Sequence, residues 1–235
     1  MIDLSRRQML DEVMDDPALD PAIYARCIAD LAKVNQVTMT HRPTRAWLAR
    51  ALRDWPKTKP FTLLDVAYGD GDLLRALARW AAKRGYSAQL SGVDLNPRSA
   101  IAARAATPPD LDITYHTGDV FSFAPAQRPD FIVTSQFTHH LDEAQLVALL
   151  RWIDATAQHG WLIADLHRHL IPYYGFRWLA RLFGWHAIVR LDGTASIARS
   201  FRRADWQQFL ADAGVAASIR WSLPFRYLIT APPDP

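Results

Sequence analysis

Leu63-Leu64-Asp65-Val66-Ala67-Tyr68-Gly69-Asp70-Gly71 decides how this chain is read. The apolar run Phe61 to Ala67 is typical of a strand buried on both faces of a parallel sheet. It meets Gly69 and Gly71 and then a helical pattern, Leu73 to Arg84. Glycine in such a turn permits unusual backbone angles and lets a ligand approach the main chain. Many nucleotide-binding folds share a strand, a glycine turn and a helix, so the turn alone does not choose among them. Charge narrows the choice. A dinucleotide site sets an anionic pyrophosphate on this helix N-terminus. Here Asp70 and Asp72 crowd that spot, and in Gly-x-Gly-x-x-Gly spacing Ala67 and Asp72 replace the first and third glycines. Each carboxylate would repel a pyrophosphate by about 1 kcal/mol or more. A ligand carrying an ammonium and a sulfonium has the opposite preference.

Downstream the alternation repeats. Strand Gln89–Asp94, helix Pro97–Ala106, short strand Asp112–His116, strand Phe131–Ser135, helix Glu143–Thr156 and strand Trp161–Leu166 follow in order. Strands alternating with helices predict a parallel sheet covered on both faces. The tail breaks that rhythm. After an insertion over 167–200, a helix Ala204–Ala213 ends at Gly214, and strands Ala216–Trp221 and Phe225–Thr230 are joined at Leu223-Pro224. A connection that short requires antiparallel pairing. The expectation is an α/β fold with a seven-stranded sheet, five strands parallel and two forming a C-terminal hairpin.

Upstream, residues Pro21 to Val34 read as a helix capped by Asp20, with Ile23, Cys27, Ile28, Leu31 and Val34 at helical spacing. A polar turn, Asn35 to Arg42, precedes a second helix from near Pro43 with Trp47, Leu48 and Leu52. Asp54–Pro60 reads as a linker. Residues 1–60 are thus expected to form a helical extension or cap, and 61–235 the main domain with a lid insertion at about 167–200.

The 235 residues suit one such domain, and half are hydrophobic, enough for a sizeable core. The net charge of +3 comes from scattered arginines, with lysine only at 33, 57, 59 and 83. No basic run tracks a phosphate backbone, so a nucleic-acid partner is not expected. The single cysteine, Cys27, excludes an internal disulfide and fits a reducing compartment. The N-terminus has no apolar core of a secretory signal, and no window suits a spanning helix. The expected location is cytoplasmic, without stable membrane insertion. Arginine-rich, lysine-poor usage suggests a bacterial genome of high GC content.

Two further motifs bear on the ligand. Val93-Asp94-Leu95 closes the next strand, 25 positions beyond Gly69. A carboxylate there can accept both ribose hydroxyls, in NAD and in S-adenosylmethionine alike. Gly118-Asp119-Val120 follows the third strand. Asp119 can accept an adenine amino group while Val120 packs on the ring, or it can cap its own turn. In this order the features resemble the class I S-adenosylmethionine-dependent methyltransferases over roughly residues 60 to 230, including the antiparallel hairpin that dehydrogenases lack. The resemblance implies a doubly wound Rossmann-like fold and S-adenosylmethionine as cofactor. It places Asp65, Ala67, Gly69 and Gly71 around the methionine portion, Asp94 and Leu95 at the ribose, and Asp119 and Val120 at the adenine. Ser135 and Gln136, which end strand four, would lie beside the methionine portion. That family has glycine where this chain has Ala67, whose methyl is expected to shift the loop slightly. The turn from Asn35 can fold over the cofactor, with Arg42 or Thr40 near the methionine carboxylate, or remain a solvent loop.

On the acceptor side, strand four runs into Phe137-Thr138-His139-His140-Leu141. The Asn/Asp-Pro-Pro-Tyr tetrapeptide of amino-methylating DNA enzymes is absent. A histidine near neutral pKa can take a proton from a hydroxyl acceptor, which makes His139 and His140 the catalytic candidates; either could instead brace the helix after Asp142. His167-Arg168-His169 lies at the same sheet edge after Asp165. No metal is expected from these histidines, since no acidic spacing accompanies them. The insertion Leu170–Arg190 is rich in aromatic residues, and Tyr173, Phe176 and Trp178 join His167 and His169 as acceptor-side candidates. An aromatic lid suits an apolar or aromatic acceptor; a core helix pair is the other reading. Arg177 and Arg181 are too few for a membrane-surface helix. Asp192-Gly193 is expected to mark a turn. Leu31–Pro43 and an Asp192–Phe201 loop resemble bacterial methyltransferases acting on phenolic or polyketide-like compounds. The expected function is methyl transfer to an oxygen of such a secondary metabolite or of a lipid-like molecule. A nicotinamide-dependent oxidoreductase is disfavoured by Asp72 and the hairpin. A non-catalytic relative with the same fold is hinted at only by Ala67.

Overall fold

A computed structural model describes residues 2–232. Seven strands form one sheet: β1 (Phe61–Val66), β2 (Ala88–Asp94), β3 (Ile113–Thr117), β4 (Phe131–Ser135), β5 (Gly160–Leu166), β6 (Ser218–Ser222) and β7 (Arg226–Ala231). Their spatial order is β3-β2-β1-β4-β5-β7-β6. The first five run parallel, and β7 pairs antiparallel with both β5 and β6. Two of the eight helices, α1 (Pro21–Val37) and α2 (His41–Ala51), precede the sheet. Helices α3 (Asp72–Lys83), α4 (Pro97–Ala106) and α5 (Glu143–Thr156) make the crossovers. The last three are α6 (Leu170–Leu182), α7 (Ala187–Arg199) and α8 (Arg203–Ala213). The order reverses between β1 and β4, and such a switch point opens a crevice at the carboxyl ends of those strands.

The central strands are apolar on both sides, and alternate residues feed separate cores. Leu64, Val66, Ile132, Trp161 and Ile163 pack on one face with Leu149 and Ile153 of α5 and Trp206 and Leu210 of α8. Phe61, Leu63, Phe131, Val133 and Leu162 pack on the other with α3 and with Trp47, Leu48 and Leu52. The α2 helix is therefore part of the sheet's own core. Each leucine removed from water here contributes about 2 kcal/mol.

A third cluster joins α1, α6 and α7 through Tyr24, Cys27, Ile28, Val34, Ala180 and Val189, with Met14. Cys27 is a small buried core residue. Ahead of α1, residues 2–16 cross this helical layer as a strap. Leu4 is buried beside Tyr173, Ile197 and Ala198, and the strap turns at Val13–Asp15.

Several sequence expectations change. The polar turn 35–42 shrinks to 38–40, because α1 runs on through Asn35 to Val37 and α2 begins at His41. Helical structure there is held from the far end of the chain: buried Arg226 donates to the Thr38 carbonyl and to the Thr38 and Thr40 hydroxyls. Asp192-Gly193 is not a turn, and 192–199 is not a loop; both lie within α7. The Asp192 carboxylate accepts from the backbone of Val13 and Met14, so it holds the strap. Gly193 faces the Phe176 ring, where a Cβ would overlap it. Both residues, typical of turns, serve helix packing here. The hairpin strands begin at Ser218 and Arg226, one or two residues later than expected. Among the described residues no helix is long and apolar enough to cross a membrane.

Candidate active site

At the end of β1 the backbone enters the left-handed region at Ala67, Gly69 and Gly71, with φ of 60°, 56° and 76°. Gly71 must be glycine for a second reason: a Cβ would lie 2.5 Å from the Tyr115 hydroxyl. Asp94 ends β2 and fixes the turn. Its carboxylate accepts from the amide of Gly69 at 2.9 Å and from that of Asn96 at 2.9 Å. Burial raises its pKa, partly offset by these bonds. Beneath the turn Asp65 is fully buried, and burial followed by the charges of Asp72 and Asp94 pushes its pKa well up. Leu95 is exposed.

The α1 helix lies across these strand ends. Near its start, the Tyr24 hydroxyl meets Ser99 and accepts from Asn96. Near its end, Asn35 donates to Asp72 at 2.9 Å and accepts from Gln136 at 2.8 Å. His41 Nε2 sits 3.1 Å from Asp72, an ion-pair distance without hydrogen-bond alignment. Burial would raise the Asp72 pKa, but His41 and Asn35 outweigh it and leave it lowered. Asp70 pairs with Arg75 at 2.9 Å, yet burial and Asp72 leave its pKa raised. Gln136 has a left-handed φ of 56°. The neighbouring Ser135 hydroxyl is buried without a hydrogen-bond partner. Asp70, Asp72 and Asp94 thus share this strand-end edge with one arginine and one histidine, an acidic excess that favours a cationic ligand.

Asp119 is exposed and accepts from Phe121 at 3.0 Å, capping its turn, while Val120 is buried. Arg42 is exposed on α2; the residues of its neighbourhood that reach the site are Asn35 and His41, which the sequence reading did not single out.

The acceptor side centres on the short turn Thr138–His140. His139 is buried, and its Nδ1 lies 2.8 Å from Oδ1 of Asp165 on β5. Oδ2 of the same carboxylate accepts from the His139 amide at 3.0 Å and from the Thr138 hydroxyl. Burial alone would raise the Asp165 pKa, but His139 and these bonds hold it low, so it is charged. Arg7 and Arg199 donate to the carbonyls of His139, His140 and Leu141. Glu12 of the strap approaches both histidines at 3.8 Å, and His140 Nδ1 lies 3.3 Å from Asp15.

The five acceptor-side candidates lie elsewhere in the cover. His167 packs against Tyr227 and His169 and meets the Trp221 indole N–H at 3.3 Å. His169 caps α6 and stacks on Phe225. Tyr173 is buried, Phe176 is half-buried against Gly193, and Trp178 is exposed. The strap and α6–α7 enclose a cavity of about 400 Å³ lined by Leu10, Val13, Tyr173, Leu191, Arg177 and Arg190. Asp11 and Val13 line it, while Glu12 between them reaches the histidines, so the strap is the wall between cavity and His139.

Residues 63–160 match a family model described as a methyltransferase domain. The fold is similar to several solved structures. A provisionally named O-methyltransferase from Nostoc punctiforme is 18% identical with a TM-score of 0.58; the match covers 86% of this chain and 59% of that one. Magnesium protoporphyrin IX methyltransferase from Synechocystis, with S-adenosylhomocysteine bound, is 15% identical with a TM-score of 0.56, over 92% of this chain and 88% of that one. A plantazolicin methyltransferase with S-adenosylhomocysteine bound is 14% identical with a TM-score of 0.64, over 86% and 88%. No curated protein sequence matches the chain. The parallel sheet closed by an antiparallel hairpin and the turn clamped by Asp94 agree with that match: residues 63–160 are similar to a methyltransferase domain, and the chain shares its fold with methyltransferases solved with S-adenosylhomocysteine bound.

Proposed function

We propose that this protein methylates an oxygen of a small apolar acceptor, phenolic or lipid-like, and that His139 takes up the acceptor's proton. The observation that carries the reading is the buried His139–Asp165 pair, 2.8 Å apart, four residues beyond Ser135 in the loop after β4. A charged Asp165 holds Nδ1 protonated and leaves Nε2 as the basic nitrogen.

The residues at the strand ends fit S-adenosylmethionine. The partnerless Ser135 hydroxyl, the acidic edge at Asp70 and Asp72, and the glycine turn all suit a compact cationic ligand. Asp94 would hold the ribose with the acceptor sites its two amide bonds leave over, and Val120 would pack on the adenine. Asn35 and Gln136 would cover the methionine portion. The cofactor supplies an activated methyl on a sulfonium, so the protein's share is orientation, exclusion of water and removal of one proton. Because the strap covers His139, it lifts for the acceptor to arrive. The apolar lining of the adjoining cavity, with Arg177 and Arg190, supports an apolar acceptor.

The test is calorimetric titration with S-adenosylmethionine and, separately, NADH, followed by labelled-methyl transfer to panels of phenols and lipids. Micromolar binding of the first alone, with label recovered as a methyl ether or ester, supports the reading. Binding of NADH alone, or label recovered only on carbon or nitrogen, overturns it.

A further inference from the structure

Glu12, His139 and His140 each offer one ligand atom, and these atoms lie within 4.8 Å of one another. They come from distant parts of the sequence: the strap supplies the carboxylate and the loop after β4 the imidazoles. Both imidazoles are already oriented by carboxylates. Asp165 engages His139 Nδ1 at 2.8 Å, and Asp15 engages His140 Nδ1 at 3.3 Å. That leaves both Nε2 atoms directed at Glu12, one 3.8 Å from each carboxylate oxygen. A ligand imidazole whose other nitrogen is held by a carboxylate is the usual arrangement behind protein-bound zinc. Tetrahedral ligands about 2.1 Å from a metal lie about 3.4 Å apart, so each 3.8 Å carboxylate–imidazole approach is a few tenths of an ångström too long, and the set as a whole, spread over up to 4.8 Å, closes by drawing together by about 1 Å.

Charge points the same way. Glu12, Asp15, Asp165 and Asp192 lie around the pair, Asp94 also acts on His140 and Glu143 on Arg7, and Arg7 and Arg199 are the guanidiniums. Arg168, nearby, is matched by Asp205 at 3.1 Å. With neutral imidazoles the carboxylates outnumber the guanidiniums in a largely buried place, an excess of negative charge that a cation offsets. The guanidiniums donate to the loop carbonyls and hold the ligand backbone in place, and Arg199 Nη1 also donates to the Leu10 carbonyl and lies 3.9 Å from Glu12 and from Asp15.

We propose that Glu12, His139 and His140 bind a transition-metal dication, zinc foremost, which clips the N-terminal strap onto the loop after β4. Two nitrogens and one oxygen select zinc, cobalt or iron over magnesium, which requires oxygen ligands. The site does not depend on which acceptor is methylated. Its Nε2 lone pairs serve a metal or a proton, one at a time, so occupancy holds His139 out of proton transfer.

The experiment titrates the full chain, stripped with chelator, with zinc, cobalt and magnesium chlorides in the absence of acceptor. One equivalent of zinc bound at micromolar or tighter affinity, no saturable magnesium, and a cobalt form with two paramagnetically shifted imidazole N–H signals are expected. Glu12→Gln and His140→Ala should each weaken zinc at least about a hundredfold, and Asp15→Asn about tenfold. His159→Ala, at an exposed histidine beside Asp130, should leave it unchanged. Absence of zinc binding, unchanged affinity in Glu12→Gln, or fewer than two shifted imidazole signals in the unsubstituted protein overturns the site. The cobalt spectrum needs no variant to fold. Because S-adenosylmethionine binding is read separately, failure here leaves the methyl-transfer reading standing, and the reverse.

Discussion

The two halves of this cleft are held together over very different chain distances. The cofactor side is mostly local: Asp94 clamps Gly69 25 residues away and Asn96 two residues away, and Gly71 opens the helix that follows it. The acceptor side is assembled from the ends of the chain. Glu12 meets His139, Arg7 donates to the carbonyls of His139 and Leu141, and Arg199 to those of His139 and His140. Local construction conserves a binding turn that any acceptor can share. Long-range construction lets one segment, the strap, govern access.

The largest effect should come from separating the halves. His139→Ala removes the proposed base, worth about a hundredfold in turnover, and should leave S-adenosylmethionine affinity within twofold. Steady-state rates beside calorimetric titration check this. An equal loss of cofactor affinity would mean that the two sides form one unit, and the comparison would break.

That separation also explains what was legible in the sequence. The parallel set, the hairpin and the boundaries of α4, α5 and β4 follow from periodicity and punctuation, which are local, whereas the spatial order of the strands does not. Asp94 stood out at its strand end as a ribose ligand, but its hold on the Gly69 and Asn96 amides is seen only in the structure. Asp165 carried a readable signal: an aspartate inside the apolar run Trp161-Leu162-Ile163-Ala164 must find a buried partner, and His139 is that partner. Glu12 and Arg7 carried none, because nothing in a polar N-terminal stretch says which loop it will cross, and Arg199 at the end of α7 gave no sign of its partners. Asp192-Gly193 misled for a physical reason. Both residues favour turns, but a carboxylate needed by two strap amides and a close helix contact override propensity.

Gly193→Ala tests that last point. Alanine in mid-helix should gain about 1 kcal/mol over glycine. The methyl, however, overlaps the Phe176 ring, and overpacking costs about 1–3 kcal/mol. A net destabilisation of up to about 2 kcal/mol is expected by denaturant unfolding. Stabilisation would show that α6 yields freely and that the cover is looser than its packing implies.

A pH dependence sharpens the contrast at the hairpin. Burial, with His169, Arg202 and Arg168 adding, pushes the His167 pKa down from 6.5 to about 4. Between these values the unfolded chain binds a proton that the folded chain refuses. His167 therefore leaves stability intact above about pH 6.5 and lowers it as pH falls toward 4. The ring is half-exposed, so the loss should be about 1 kcal/mol after solvent screening. His167→Phe, packed on Tyr227, should flatten this part of the stability curve; an unchanged slope would assign it to carboxylates instead.

The smallest effect is expected on the local side, at Ala67. A non-glycine residue at φ 60° costs about 1 kcal/mol, which Ala67→Gly would relieve. Glycine also frees the unfolded chain by about 0.5–1 kcal/mol. The two nearly cancel, so stability should change by less than about 0.5 kcal/mol. Ala67 donates to the Val93 carbonyl at 2.8 Å, and glycine keeps that bond, so the turn should hold its shape. Cofactor affinity should then stay within about threefold, or 0.7 kcal/mol. A tenfold gain would show that the alanine methyl occupies space the ligand needs. The cofactor turn would then be tuned by a side chain rather than by backbone alone, and the local half of the cleft would no longer be the simpler one.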